Sequence, residues 1–242
     1  MPHFQIKHRW TGAVLFEGNF DTMAGCVEAA IRTRVDLAGA VFAGAELVRA
    51  RLVDANLAGA NLADANLVRA DLAGANLVGA NLAGAKLVHA RLVAANLAGA
   101  DLAGADLAGA ELVRARLVDA NLVRADLASA NLVRADLAGA NLAGANLAGA
   151  NLALAKWKEG YTLRRAPVRT AQRGDGYTFY LLDTEEGGWR ISAGCRFFTP
   201  EEAWAHWERT RPEDGPGTLG AETRDILTMF ELAIEREARN AP

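Results

Sequence analysis

Cysteine is nearly absent from this chain: two residues in 242, Cys26 and Cys195, cannot build a disulfide framework. Glycine and proline, 24 and 6 residues, are too few for a collagen-like chain, and a hydrophobic content of 51% excludes compositional disorder. Aromatic residues reach only 7%, so the apolar mass is aliphatic and small. Neither sign of charge dominates. With 26 Lys and Arg against 29 Asp and Glu the formal charge is -3, and no global field draws the protein onto nucleic acid or an anionic membrane. Any charged partner must be met by a local patch. Long apolar runs are missing too, because a polar residue interrupts the Ala/Leu-rich middle almost every fifth position, so no membrane span is expected. The start, Met1-Pro2-His3-Phe4-Gln5-Ile6-Lys7, lacks the apolar core of a signal peptide, and the expected location is cytoplasmic.

What the chain has in abundance is a period of five. From Asp36 to Ala155 it reads as 24 consecutive units of the form Ala-(Asn/Asp)-Leu-x-x, with central residues Leu37, Phe42, Leu47 and onward to Leu152 and no break in register. A small and a large apolar residue flank one polar residue in each unit. That is period two, the signature of a very short strand, and the remaining two positions must turn the chain. A helix is excluded, because a five-residue step advances about 500° and would spread the leucines over every side.

The units Ala55-Asn56-Leu57, Ala70-Asp71-Leu72 and Ala100-Asp101-Leu102, with most of the others, resemble the motif of the pentapeptide-repeat family. The resemblance covers about half the chain and implies a right-handed quadrilateral parallel β-helix with four units per coil. On that implication the 24 units make six coils, a rod about 29 Å long at a strand spacing of about 4.8 Å. Residues twenty apart then stack. Arg51, Asp71, Arg91 and Glu111 form a ladder of alternating charge, while Asn56, Asn76 and Asn96, and Asn61 and Asn81, form amide ladders. All 12 glycines of the repeat lie two after a central residue, and 11 of them follow Ala. The other 12 units mostly place Val before a bulky residue, as in Val48-Arg49 and Val53-Asp54. Two corner types are therefore expected: type II turns at Ala-Gly, and type I turns at Val-Arg and Val-Asp.

Residues 1–34 and 156–242 differ sharply in composition, since all five Trp lie outside the repeat and Phe42 is its only aromatic residue. A solenoid needs its ends covered. In 1–34, Phe4 to Trp10 and Ala13 to Phe20 read as a hairpin about Thr11-Gly12. A helix capped by Asp21 or Thr22 follows, to about Thr33, with Met23, Val27, Ala30 and Ile31 closing the first coil. Residues 156–242 read as an α+β module. Leu163 to Gln172 and Tyr177 to Asp183 form a hairpin about Arg173-Gly174-Asp175-Gly176, and Gly188 to Ala193 a third strand. Thr199-Pro200-Glu201-Glu202 is a capping box that opens a helix, and Ala221 to Arg239 is a second, amphipathic helix that packs at home or on a partner. A homodimer through this module is one arrangement it allows. The flanks resemble those of pentapeptide-repeat proteins carried by phages and prophages.

Little of this sequence supports catalysis or cofactor binding. Gly215-Pro216-Gly217-Thr218-Leu219-Gly220 spells the dinucleotide fingerprint, but no strand precedes it and it reads as an inter-helix linker. His3, His8, His89 and His206 are scattered without metal-ligand spacing, and Cys26 and Cys195, in opposite flanks, read as small core residues. Ser129 and Ser192 are the only serines and neither sits in a nucleophile elbow, so no enzyme is expected. Arg164, Arg165, Arg169 and Arg173 interleave with Tyr161, Tyr177 and Tyr180 as a nucleic-acid surface would, but a solvated strand face fits a module with 13 basic and 15 acidic residues better.

Two binding surfaces remain. Family members that protect type II topoisomerases such as gyrase from quinolone-class poisons are thought to mimic duplex DNA, and the resemblance implies that function here. A strict mimic of about 29 Å would carry roughly 17 negative charges, whereas residues 36–155 carry 11 acidic and 9 basic side chains. A local belt is available: Asp101, Asp106 and Glu111 run round one coil, and Asp126 stacks on Asp106. The second surface suits an assembly scaffold without DNA mimicry. Val48, Val68 and Val88 stack beside Arg49, Arg69 and His89, an apolar stripe edged with positive charge.

Overall fold

A computed structural model of the chain describes residues 1–157, 161–164, 169–172, 178–186, 188–193, 196–210 and 219–239. In the repeat the outward residue of each unit from Val41 to Asp136 forms a parallel bridge with its counterpart twenty residues on, from Val41↔Asn61 to Asp136↔Lys156. A turn follows every central residue, so four bridged segments and four corners complete a circuit. Both backbone groups of a unit are used. Leu67 N–H donates to Lys86 O at 2.8 Å in the next coil, and Asn66 N–H donates to Ala45 O at 2.9 Å in the previous one. Inside the rod every central Leu from Leu47 to Leu152 is buried, and its Ala partner is buried from Ala50 onward, so that both stack as columns. A fully buried Leu contributes about 1.5–3 kcal/mol of transfer free energy, so repetition substitutes for the large aromatic core that the rod lacks. Trp157 takes the seat of the next leucine above Leu137 and is 1% exposed.

The corners are not of two types. Positive φ occurs at all 12 repeat glycines, between 61° and 71°, and equally at Arg49, Asp54, Asp64, Arg69, His89 and the other bulky corner residues, between 54° and 59°. Each corner also closes an i to i+3 hydrogen bond, as from Ala50 N–H to Leu47 O at 3.0 Å. Together these are type II turns, and the expected type I corners at Val-Arg and Val-Asp do not form. The reason lies in the stack. From Gly39 to Arg134 the central peptide of a corner donates to the central peptide of the corner above, as Arg49 N–H does to Val68 O at 3.0 Å. Types I and II differ by a flip of that peptide, so one type I corner would break two rungs. The left-handed conformation at a non-glycine residue costs about 1–2 kcal/mol and is retained at 12 corners.

Two flanks close the rod. At one end β1 (His3–Lys7) and β2 (Val14–Asn19) form an antiparallel hairpin with a register shift between Ile6 and Lys7. Lys7 O accepts from Val41 N–H at 2.9 Å and so continues the first coil. Helix α1 (Met23–Arg32) starts at Thr22, whose side chain accepts from Gly25 N–H at 3.1 Å. Cys26, Val27 and Ala30 are buried against the coil, and Met23 and Ile31 pack at its margin. Glu28 completes the cap: its carboxylate accepts from Arg51 N–H at 2.9 Å, an amide that elsewhere in the rod would reach a carbonyl of the preceding coil.

At the other end stands a four-stranded antiparallel sheet in the order β3 (Arg169–Gln172), β4 (Thr178–Thr184), β5 (Gly188–Ala193) and β6 (Arg196–Phe198). Leu163 is not part of the first strand but forms an isolated bridge with Thr184, and β6 is an addition to the expected elements. The hairpin turn 173–176, residue 177 and Cys195 lie outside the described residues. Helices α2 (Pro200–Thr210) and α3 (Leu219–Arg239) follow. The capping box forms as expected, Glu202 accepting from Thr199 N–H at 2.8 Å and Thr199 Oγ1 from Glu202 N–H at 3.2 Å. Strand β4 divides its faces by period two. Phe179 and Leu181 join a core with Trp207, Leu227 and Phe230 of the helices, while Tyr180 and Leu182 join the core of the rod. No helix among the described residues is long and apolar enough to cross a membrane.

Candidate protein-binding surfaces

The four acidic residues of the belt lie on adjacent coils of the rod. Asp101, Asp106 and Glu111 stand at successive outward positions, and Asp106 bridges Asp126 in the next coil. The carboxylates are not merely outward-pointing, however. Oδ1 of Asp101, Asp106 and Asp126 accepts from the amide two residues on, Ala103, Ala108 and Ala128, at 3.1, 3.1 and 2.9 Å. These are Asx turns that lead the chain into each corner, and the asparagines at equivalent positions make the same bond, as Asn61 does to Ala63 at 3.2 Å. Asp101 Oδ1 also accepts from Asn121 Nδ2 at 2.9 Å, and Asp126 Oδ1 from Asn146 Nδ2 at 3.0 Å. Substituting these side chains is therefore not structurally neutral unless the acceptor is kept. Glu111 is in part neutralised: Arg91 lies 3.5 Å from it and 2.7 Å from Asp71, which realises the charge ladder.

The second surface lies on one corner of the rod. Arg49, Arg69 and His89 stack, since Arg49 N–H bonds Val68 O and Arg69 N–H bonds Val88 O, at 3.0 and 2.9 Å. No salt bridge joins Arg49 or Arg69 to an acid among the described residues. The His89 ring folds over the next corner, where a Cβ on Gly109 would collide with it. Beside Arg49, Val48 is 42% exposed and forms part of the wall of a cavity of about 530 Å³ between the hairpin, α1 and the first coil. Phe4, Met23 and Ala45 supply its other apolar walls. This cavity is illegible in the sequence, because its walls come from three segments that meet only once the helix docks.

Of the interleaved Arg and Tyr run of the C-terminal module, the described side chains Tyr161, Arg164 and Tyr180 are each engaged within the protein. Tyr180 is buried at the rod end, its hydroxyl donating to Leu142 O at 3.2 Å and Ala145 O at 2.9 Å. Arg164 approaches Asp183 at 3.7 Å, and the Tyr161 ring is covered by Arg190 at 4.9 Å. Arg165, Arg173 and Tyr177 lie outside the described residues, as do residues 215–218 of the glycine-rich hexad. A cleft of about 690 Å³ opens beside Trp189, Glu201, Glu231 and Glu235. Bonds from its own backbone amide and from Thr199 hold the Glu201 carboxyl below its usual range, and a carboxylate held anionic is a poor general acid.

Comparison with known proteins accords with this geometry. A family model for pentapeptide repeats matches residues 33–67, 50–87, 85–122 and 120–156, just over half of the chain. A pentapeptide repeat protein from the cyanobacterium Cyanothece 51142 is 40% identical over 39% of this chain and 60% of its own, with a TM-score of 0.35. One from the Arabidopsis thaliana thylakoid lumen is 35% identical over 39% of this chain and 63% of its own, with a TM-score of 0.32. In both cases the match spans less than two thirds of the other protein. QnrB1, a plasmid-mediated fluoroquinolone resistance protein, is 20% identical over 49% of this chain and 69% of its own, with a TM-score of 0.37. No curated protein matches the sequence.

Proposed function

Because the chain belongs to the pentapeptide-repeat family, and so carries a right-handed β-helix, we propose that it is a non-enzymatic protein-binding rod that engages a DNA-acting enzyme, such as a type II topoisomerase, through its acidic belt. In this reading a rod of six coils presents the belt between its two flanking modules. The observation that carries it is the grouping of Asp101, Asp106, Glu111 and Asp126 on adjacent coils. The Oδ2 atoms of the three aspartates, whose Oδ1 atoms hold the Asx turns, offer anionic acceptors where a cationic DNA groove would expect phosphates. The mimicry is local, since 9 basic side chains share the rod with 11 acidic ones. The belt therefore addresses a small basic site on the partner and not a whole DNA channel.

The test is a supercoiling assay with purified bacterial gyrase, with and without a quinolone, at two salt concentrations. Inhibition or protection that weakens with salt and is lost in the triple variant Asp101→Asn, Asp106→Asn, Glu111→Gln supports the proposal. These variants remove charge and keep one acceptor oxygen at each position, enough for the Asx turns. Unchanged inhibition by the triple variant, or no effect at a large molar excess, overturns it. The second reading is an assembly or interaction scaffold, phage- or prophage-borne, without DNA mimicry. The Arg49 and Arg69 column, which makes no salt bridge among the described residues, favours it, and exposed Met229 and Leu232 on α3 offer a surface for a homodimer, which light scattering of the intact protein would detect.

A further inference from the structure

We propose that the cavity at the junction of the hairpin, α1 and the first coil, together with the Arg49–Arg69–His89 column, forms one docking site for an acidic protein segment carrying an apolar anchor residue. Two observations meet at Val48. Its side chain helps to wall the cavity with Phe4, Met23, Ala24 and Ala45, and it directly precedes Arg49, the first cation of the column. The cavity's volume of about 530 Å³ holds one large aliphatic or aromatic side chain with room to spare. Its single charged wall residue, Glu46, is turned to Asn66 Nδ2 at 2.7 Å and is thereby engaged.

The column supplies the charge complementarity. One stack of the rod sets opposite charges against each other, Arg91 against Asp71 and Glu111, whereas the belt pair Asp106 and Asp126 repeats one sign. In the column Arg49 and Arg69 repeat the same sign at a spacing of about 4.8 Å, an arrangement that repels itself and is relieved by an anionic ligand. Arg51 adds a further positive charge one corner segment away. From Arg49 to His89 is two coil spacings, about 10 Å, the length of three extended residues. A segment with an apolar residue followed by three or four acidic ones therefore fits from cavity to column. The half-buried Val68 and Val88 beside the cations provide a dry floor for the segment's backbone. A nucleic acid strand would satisfy the cations but leave the cavity empty, so the protein segment is the better occupant. The site is separate from the acidic belt and shares with it only the premise that the rod binds proteins.

The intact protein is titrated into a fluorescein-labelled peptide with one phenylalanine followed by four glutamates, read by fluorescence anisotropy. Companion probes replace the phenylalanine by serine, or the glutamates by lysines, and a single-stranded oligonucleotide of equal charge serves as a fourth. Binding of the first peptide alone is expected, weakened about tenfold by Arg49→Gln with Arg69→Gln, each exposed pair being worth up to about 1 kcal/mol. Val48→Asp should weaken it several-fold by placing a carboxylate at the cavity rim. The belt variants Asp101→Asn, Asp106→Asn and Glu111→Gln should leave it unchanged, which separates this site from the topoisomerase reading. Equal binding of the serine peptide or the oligonucleotide, no binding of any peptide, or indifference to the double arginine variant overturns the proposal. Thermal melts establish that each variant is folded.

Discussion

Tyr180 donates its phenol hydrogen to Ala145 O at 2.9 Å, and so stands where the amide of a further coil would stand. In the rod interior the equivalent carbonyl of Ala45 accepts from Asn66 N–H at the same distance. One side chain from β4 thus ends the hydrogen-bond stack without leaving that acceptor unpaired. The opposite end is finished by the complementary device, the Glu28 carboxylate accepting from Arg51 N–H.

Tyr180→Phe keeps the ring packed against Trp157 and removes only the donor. A loss of about 1–3 kcal/mol in urea or thermal unfolding is expected, the cost of stranding a buried acceptor. Burial also pushes the Tyr180 hydroxyl far above its ordinary range. The folded state then holds this proton more tightly than the unfolded chain, so its stabilising contribution is complete below the ordinary tyrosine value near pH 10. It declines as pH rises from there through the raised folded value. The wild type should therefore lose stability on this alkaline limb more steeply than Tyr180→Phe, and parallel limbs would refute the assignment.

Gly84 and Gly104 occupy the same corner column at nearly the same φ, 66° and 65°. A Cβ at Gly84 would strike the Asp64 carboxylate, whereas at Gly104 it would meet nothing within 4 Å. Gly104→Ala should cost only the left-handed strain, about 1–2 kcal/mol. Gly84→Ala should cost more by what it takes to turn the Asp64 carboxylate aside, and in an Asp64→Ala background the difference should disappear. Equal destabilisation by the two glycine variants would show that the stacked side chains do not rest on the glycines.

Asp106→Asn should leave unfolding almost unchanged, because the amide oxygen can still accept from Ala108 N–H. Asp106→Ala should lose roughly 1 kcal/mol with the Asx turn. Chemical denaturation of the pair reads this directly, and a neutral alanine variant would remove the structural role assigned to the belt.

The rod was legible because its information is local and repeated: Leu, Ala and Asx at fixed spacing determine which side chains are buried and which residues stack. The helix start at Thr199, and that at Asp21 or Thr22 to within one residue, were legible for the same reason, since cap chemistry lies within four residues. The corners were not. Val48-Arg49 read in isolation favours a type I turn, and only the carbonyl of Val68, twenty residues away from Val48, decides otherwise. The candidate sites divide likewise. The belt and the arginine column follow from stacking arithmetic, whereas the cavity joins Phe4, Met23 and Val48 across long sequence separations. The short strand β6 and the burial of Tyr180 are also products of tertiary docking, invisible in a three-residue window or a single aromatic residue.

Since each circuit takes twenty residues and each unit five, the backbone behaves as a four-position dial. Losing or gaining one unit in mid-rod leaves every leucine seated, yet turns everything downstream by a quarter revolution relative to everything upstream. The acidic belt would then shift by one face relative to the arginine column, while removal of four units would shorten the distance between them and preserve their mutual aspect. Length and angular address are thus separately adjustable in this molecule, by a kind of change that the core scarcely registers.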